Sequence, residues 1–391
     1  MHDYTTYKQA FEGYALPFAY VDLDLLDENI RAIATRANGT PVRVASKSIR
    51  SRAILNRIFE SDPIYQGVMC FTVSEAVWLS QHGFDDLLLG YPAWHPAAIR
   101  QACAMIQQGK TITLMIDSVA HVEHLQRIAA EENVTLPLCL DVDMSIDFPG
   151  LHFGVWRSSV FNAEDALKVF DVIKRSPNLR LDGIMGYEAQ IAGLGDKGSN
   201  PKTMMIRLLK RRSIQPIAER RAQVVDALQT AGAALRFVNG GGTGSIETTI
   251  QEPAVTEVTA GSGFFAPGLF DHYQGFHHQP AAGFAIEVVR SPKPGIYTCH
   301  GGGYIASGEI GKVKQPVIFL PEGAKLTDLE GAGEVQTPVQ YKGKLQFGDP
   351  VFLRHSKAGE LCERFNTLLL VQGGQVIDEI PTYRGEGMAF L

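Results

Sequence analysis

Pro41-Val42-Arg43-Val44-Ala45-Ser46-Lys47-Ser48 is a short β-branched run that stops at a lysine. A strand built on Val42 and Val44 is a poor setting for a surface lysine. At the C-terminal end of a barrel strand, a lysine points into the mouth, where a partly desolvated amine serves as a nucleophile. For this lysine alone, the plainer reading is a strand end reaching water. The rest of the chain favours the first reading, because it contains what such a lysine needs.

Outward from this stretch the chain repeats one pattern, in which short apolar runs end at polar or glycine residues and helical periodicity follows. The expected strands are Val42–Ser46, Gly67–Phe71, Asp86–Gly90, Thr111–Ile116, Pro137–Val142, Leu181–Tyr187, Leu235–Gly240 and Thr256–Ala260. Helices are expected over Leu26–Ala37, from Ser74, and over His95–Gln107, Val119–Glu131, Ala163–Lys174 and Ile206–Ala231. Largely apolar strands alternating with helices predict an α/β fold, a (β/α)8 TIM-type barrel. A doubly wound open sheet is the alternative. The barrel is favoured because candidate site residues recur at strand C-terminal ends around the series. From about residue 277 the texture changes to alternating, β-branched runs punctuated by Gly and Pro, over Ala285–Val289, Gly295–Cys299, Pro316–Leu320, Glu334–Tyr341, Val351–Arg354, Thr367–Val371 and Gln375–Ile380. The expected division is a barrel over 1–276, with a short N-terminal lead, and a C-terminal all-β domain over 277–391.

The chain has 391 residues, 45% of them hydrophobic and 20% charged, which is an ordinary globular composition. A net charge of −6 gives no general attraction to nucleic acid or anionic membrane, so neither is expected as a partner. No apolar run is long enough to span a bilayer, and the first residues lack a secretory pattern. Five scattered cysteines (Cys70, Cys103, Cys139, Cys299 and Cys362) predict reduced thiols and a cytoplasmic location. The basic stretch from Lys197 to Arg221 reads as the solvated face of a long helix, with a lid or dimer contact as the functional alternative.

Phe237-Val238-Asn239-Gly240-Gly241-Gly242-Thr243-Gly244-Ser245 follows the seventh expected strand, and Ala260-Gly261-Ser262-Gly263 ends the eighth. Barrels often grip a phosphate with the loops after these two strands, through converging backbone N–H groups and hydroxyl donors. Neither GxxxxGKS nor GxxxxGKT occurs, so this is not a P-loop. A strand-end lysine with a two-loop phosphate cup points to pyridoxal 5′-phosphate (PLP).

These features together resemble the fold-type III PLP enzymes, which pair an alanine-racemase-like barrel with a C-terminal β-domain. Within them the chain is most similar to the D-threonine aldolase and D-serine dehydratase group, which includes amino acid deaminases/aldolases. The resemblance lies in PFAYVDLDLLDENI, VRVASKS, DGIMGYEAQ, VNGGGTGS and EVTAGSGFF, and in a histidine-and-cysteine segment near the C-terminus. It implies that Lys47 carries PLP, that Gly241, Gly242, Thr243, Gly261, Ser262 and Gly263 hold its phosphate, with Asn239 alongside, and that Tyr187 lies beside the cofactor. It also implies a homodimer. An arginine expected near the cofactor's phenolate oxygen is replaced in its motif by His152, with Arg157 close behind, so either residue fills that role. The histidine that the family places just after the lysine is absent, since Ser48-Ile49-Arg50-Ser51 stands there.

His355 and Cys362 flank Glu360 near the C-terminus. Histidine and thiolate so close together suit a divalent metal (Zn, Mn or Mg), which the resemblance places on the substrate's β-hydroxyl. His300, His355 or Cys362 would then act at the β-oxygen. The expected function is a lyase acting on D-β-hydroxy amino acids, by aldol cleavage or by dehydration and deamination. The alternatives are an amino acid racemase and a PLP-binding protein without turnover.

Overall fold

The computed structural model describes residues 2–308 and 311–391, which fall into two compact units. The barrel unit contains Ala34–Lys47, Phe59–Gly261 and Phe390–Leu391. The sheet unit contains the chain up to Ile33, Ser48–Ile58 and Ser262–Ala389.

The barrel strands are β1 (Val42–Ala45), β2 (Tyr65–Cys70), β3 (Leu87–Pro92), β4 (Ile112–Ile116), β5 (Leu136–Asp141), β6 (Leu179–Gly186), β7 (Phe237–Gly240) and β8 (Glu257–Ala260). Each pairs in parallel with the next, and β8 closes on β1. Closure removes the edges that a doubly wound sheet would keep, so the open-sheet alternative does not hold. Strands β4 and β5 are buried at every residue, which is why they read as continuous apolar runs rather than alternating ones. Helices begin where the sequence supplies a capping oxygen. Thr72, Ser118, Asn162 and Asn200 each accept a backbone N–H in the first turn that follows.

Arg43 closes the barrel at the N-terminal ends of its strands. Its guanidinium is fully buried and donates to both oxygens of Glu257, at 2.7 and 3.0 Å, and to the Asp86 carbonyl and carboxylate, at 2.7 and 3.0 Å. Gly67 lies against this group at φ +66°, and a Cβ there would fall 2.4 Å from Arg43 Nη1. This end of a barrel carries stability rather than chemistry.

The long helix runs from Pro201 to Thr230. The sequence predicted a solvated basic face, but several of its cations point inward. Lys210 donates to the Leu194 carbonyl and to Asp196, and Arg220 donates to the carbonyls of Asp143 and Ser145. Arg221 is fully buried. These side chains fasten the loops that follow β5 and β6.

In the sheet unit, all seven expected C-terminal strands form, together with a short strand at Lys325–Leu326. Phe18–Asp22, which is not among the expected strands, is also a strand of this sheet. It runs antiparallel to Ala282–Lys293 and parallel to Thr367–Gln372. The cause is aromatic packing. Tyr7 and Phe11, from the helix Tyr4–Ala10 and its C-cap, join Phe18, Tyr20, Phe352 and Leu369 in one buried cluster. The N-terminal lead is therefore structured. All five cysteines are free and buried. Among the described residues, no helix is long and apolar enough to cross a membrane.

Candidate active site at the C-terminal ends of the barrel strands

Strand β1 ends at Ala45, and Ser46–Ser48 form one 3-10 turn. The Ser46 hydroxyl donates to the Met69 carbonyl at 3.0 Å, which ties this turn to β2. Lys47 Nζ donates to the Tyr91 hydroxyl oxygen at 3.0 Å. Tyr91 sits near the C-terminal end of β3. It lies just beyond the expected strand Asp86–Gly90, where Gly90-Tyr91-Pro92 has the composition of a turn. The usable signal was its place at a barrel strand's C-terminal end.

The Arg157 guanidinium lies 5.8 Å from the Tyr91 ring centre and 5.3 Å from that of Tyr187, within cation–π range of both. Tyr187 directly follows β6. Burial pushes its hydroxyl up to about 12, against the pull of Arg157, so the phenol is neutral near pH 7. His152 takes a different position, in the hairpin of Ile146–Phe148 and Leu151–Phe153, with Nδ1 2.8 Å from Asp147 and its ring stacked 3.6 Å from Trp156. Of the two candidates left open for the phenolate role, Arg157 is the one gathered with the tyrosines.

Asp141 ends β5 and lines a small cleft with Asp143, Met144, Arg157, Ser158 and Tyr187. Burial pushes its carboxyl up to about 7. Arg157 opposes the shift, and Asp117 and Asp143 add to it. A carboxyl that titrates near neutrality at a barrel mouth is a residue the sequence reading missed.

The first glycine turn is built around φ +78° at Gly241. Its amides have protein partners. Gly241 N–H donates to Glu188 Oε2 and Gly242 N–H donates to Ser245 Oγ, each at 3.1 Å. These two glycines therefore contribute shape. A Cβ on Gly242 would come within 3.0 Å of the Tyr187 ring and 3.1 Å of Ala192, so the absent side chain leaves a cradle beside Tyr187. Asn239 is spent inside the barrel, where its amide donates to Glu257 and Thr259 at 2.9 Å. At the second turn, Gly261 N–H reaches the Thr243 hydroxyl at 3.5 Å. The next residue, Ser262, has its hydroxyl 3.2 Å from that of Ser48, and Gly263 lies in the following helical turn, Ser262–Phe265.

In the sheet unit, His355 is fully buried, and neither ring nitrogen has a hydrogen-bond partner. Burial, reinforced by the Arg354 charge, pushes its imidazole down to about 3. Cys362 Sγ donates to the Ile49 carbonyl at 3.3 Å, and burial pushes the thiol up to about 12, against Arg50. His300 is exposed, at the end of the strand Ile296–His300. Among the described residues, the group of three potential ligands within 4.8 Å of one another is His2, Asp22 and Asp24. Those carboxylates already accept from Tyr7, Leu25 and Gly373, and they serve the packing of the N-terminal segment.

The family model for the alanine racemase N-terminal domain matches residues 21–266, well over half of the chain. The chain belongs to that family. A 3-hydroxy-D-aspartate aldolase of Paracoccus denitrificans is 27% identical to this alanine-racemase-family chain over 247 residues, which are 63% of this chain and 59% of the relative. The match thus spans about three fifths of the relative's length. The crystal structure of a D-threonine aldolase from Filomicrobium marinum is similar with a TM-score of 0.81, at 18% identity over 95% of both chains. A D-threo-3-hydroxyaspartate dehydratase from Delftia sp. HT23 gives a TM-score of 0.75, at 19% identity over 97% of this chain and 99% of that one. At these identities the two structures show the fold.

Proposed function

We propose that this alanine-racemase-family chain is a PLP-dependent lyase acting on D-β-hydroxy amino acids. It would cleave D-threonine-like substrates to glycine and an aldehyde, or dehydrate and deaminate D-serine-like ones. The observation that carries the reading is the Lys47–Tyr91 hydrogen bond at the C-terminal ends of β1 and β3, with the Arg157 cation over Tyr91. The name of the Paracoccus relative supports both the aldol chemistry and the D-configuration.

The residues fit PLP. Lys47 offers a primary amine at a barrel strand's end, and the missing side chain at Gly242 leaves a cradle beside the Tyr187 ring. Lys47, Thr243, Gly261, Ser262 and Gly263 would hold the group, and Arg157 would sit near its phenolate oxygen. When bound, PLP supplies an electron sink for charge developing at the substrate's Cα. The chain's own task is to move protons. Tyr91 Oη, hydrogen-bonded to Lys47 Nζ, would take a proton from the substrate's β-hydroxyl in aldol cleavage as its own phenolic proton passes to the free Lys47 amine, and in dehydration would give its proton to the β-oxygen, which leaves as water.

His355 and Cys362 are proposed as ligands of a divalent ion (Zn, Mn or Mg). Unpartnered buried imidazole nitrogens are costly, and a metal would satisfy one of them. A D-threo-3-hydroxyaspartate dehydratase structure of a cysteine-to-alanine variant is described as the metal-free form, which supports a metal in this fold. A homodimer is proposed as well. Trp94, Trp156, Met204 and Met205 are large apolar side chains more than half exposed on the barrel unit, as a covered face would supply. Free, buried cysteines support a cytoplasmic location.

The deciding experiment is the absorption spectrum with PLP of wild type beside Lys47→Ala, followed by assays with D-serine and D-threonine. A visible band that depends on Lys47, with release of ammonia and pyruvate or of glycine and aldehyde, is expected. Inversion at Cα without these products would identify a racemase. A Lys47-dependent band without any turnover would identify a carrier.

A further inference from the structure

Glu188 lies directly after Tyr187, is only 1% exposed, and has all its acceptor capacity engaged by one neighbourhood. Its Oε2 accepts the Gly241 N–H and an Arg221 N–H, each at 3.1 Å. Its Oε1 accepts the Ser245 hydroxyl at 3.1 Å and the Thr249 hydroxyl. Three of the four donors belong to the glycine turn and the short helix Ile246–Thr249 that it opens. One carboxylate therefore fixes where this turn stands relative to β6.

The fourth donor solves an electrostatic problem. A bare carboxylate beneath an anion-binding turn would repel a phosphate. Arg221, fully buried on the long helix, compensates the charge. It also donates to the Gly186 carbonyl at 3.0 Å and pairs with Glu252. The backbone is pressed onto this cation, since a Cβ on Gly240 would lie 3.2 Å from Arg221 Cζ. Gly241 N–H is held inward by Glu188 and Gly242 N–H by Ser245, and the partly exposed residues of the turn are Gly242 and Gly244.

We infer that Glu188 is the positioning residue of the Gly240–Ser245 turn and sets that turn's affinity for the phosphate of the cofactor. The inference rests on the PLP reading above. The expected effect is selective, because the groups that Glu188 holds belong to the phosphate turn, to its short helix and to Arg221. Glu188→Gln keeps the shape but turns one acceptor into a donor facing other donors.

The test compares binding of PLP and of pyridoxal, which lacks the phosphate, to wild type and Glu188→Gln, followed by absorbance. PLP affinity should fall about tenfold or more in the variant, while pyridoxal affinity stays within about twofold. Inorganic phosphate should also compete less well against PLP in the variant. If Glu188→Gln does not fold, Thr249→Val removes one of the turn's hydrogen bonds to Glu188. It should weaken PLP by about threefold and leave pyridoxal unchanged. Equal losses for both ligands, or no loss, would overturn the inference. A wild-type protein that binds neither ligand would overturn the PLP reading instead.

Discussion

Lys47 Nζ and Tyr91 Oη are 3.0 Å apart, joining the ends of two neighbours-but-one in the barrel, β1 and β3. Each residue is placed by its own strand. Lys47 ends a strand already held by Ser46, and Tyr91 follows the buried run Leu87–Gly90. On the reading proposed above, this pair serves the chemistry at the barrel mouth.

Tyr91→Phe should separate cofactor attachment from turnover. The ring and its contact with Arg157 remain, so the Lys47-dependent visible band should persist. Turnover of D-serine or D-threonine should fall by about 10²–10⁴-fold, the usual cost of losing a general acid–base group. Steady-state kinetics beside the absorption spectrum check this. A variant with unchanged kcat would remove Tyr91 from the mechanism.

Asp141 gives a pH-dependent prediction with a definite sign. Its carboxyl sits near 3.8 in the unfolded chain and is pushed up to about 7 in the fold by burial. Between these values the folded state binds a proton that the unfolded state has released. Stability from this group is thus greatest at low pH and declines as pH rises to about 7. Asp141→Asn removes the ionisation and should make the protein more stable than wild type at pH 8, by on the order of a few kcal/mol, with the gap closing towards pH 4. Urea melts of the cofactor-free protein at several pH values would show it. A variant less stable than wild type at pH 8 contradicts the assignment.

How much of this was legible in the sequence depends on whether a residue's role is local. The eight barrel strands could be read because a strand buried on both faces must be apolar along its length. Lys47 stood out because it ends such a run. Tyr91 and Asp141 end similar runs, but a tyrosine or aspartate beside a strand also reads as a turn or a cap. Arg221 looked like one more cation on a basic helix. Nothing local to Arg211, Arg212, Arg220 and Arg221 says which of them turns inward, because the partners Glu188 and Glu252 are about 30 residues away on either side. Phe18–Asp22 was missed as a strand because its neighbours come from Ala282–Lys293 and Thr367–Gln372.

The opposite end of the barrel should tolerate little change. Arg43→Met leaves Glu257 buried, with Asn239 as its remaining side-chain donor. Removing one partner from such a group costs about 3–5 kcal/mol. The urea midpoint of Arg43→Met should drop accordingly. Turnover per folded molecule should stay near that of wild type, because the pair lies at the strands' N-terminal ends. A loss below about 1 kcal/mol would mean that the network behaves as a surface ion pair does.

The imidazole of His355 offers the sharpest choice between structure and chemistry. It is fully buried with both nitrogens unpartnered, a condition that native proteins seldom keep without a reason. If it is a metal ligand, wild type loaded with Zn or Mn and then desalted should retain the ion, and His355→Ala should not. Cys362→Ser should weaken retention, since an alcohol is a poorer ligand than a thiolate. If it is not a ligand, the polar ring is a pure cost, and His355→Leu should yield a more stable protein with unchanged metal content and activity. Elemental analysis and turnover assays of the same variants separate the two, because ligation predicts loss of metal and of turnover, whereas a non-ligand histidine predicts a gain in stability with both unchanged.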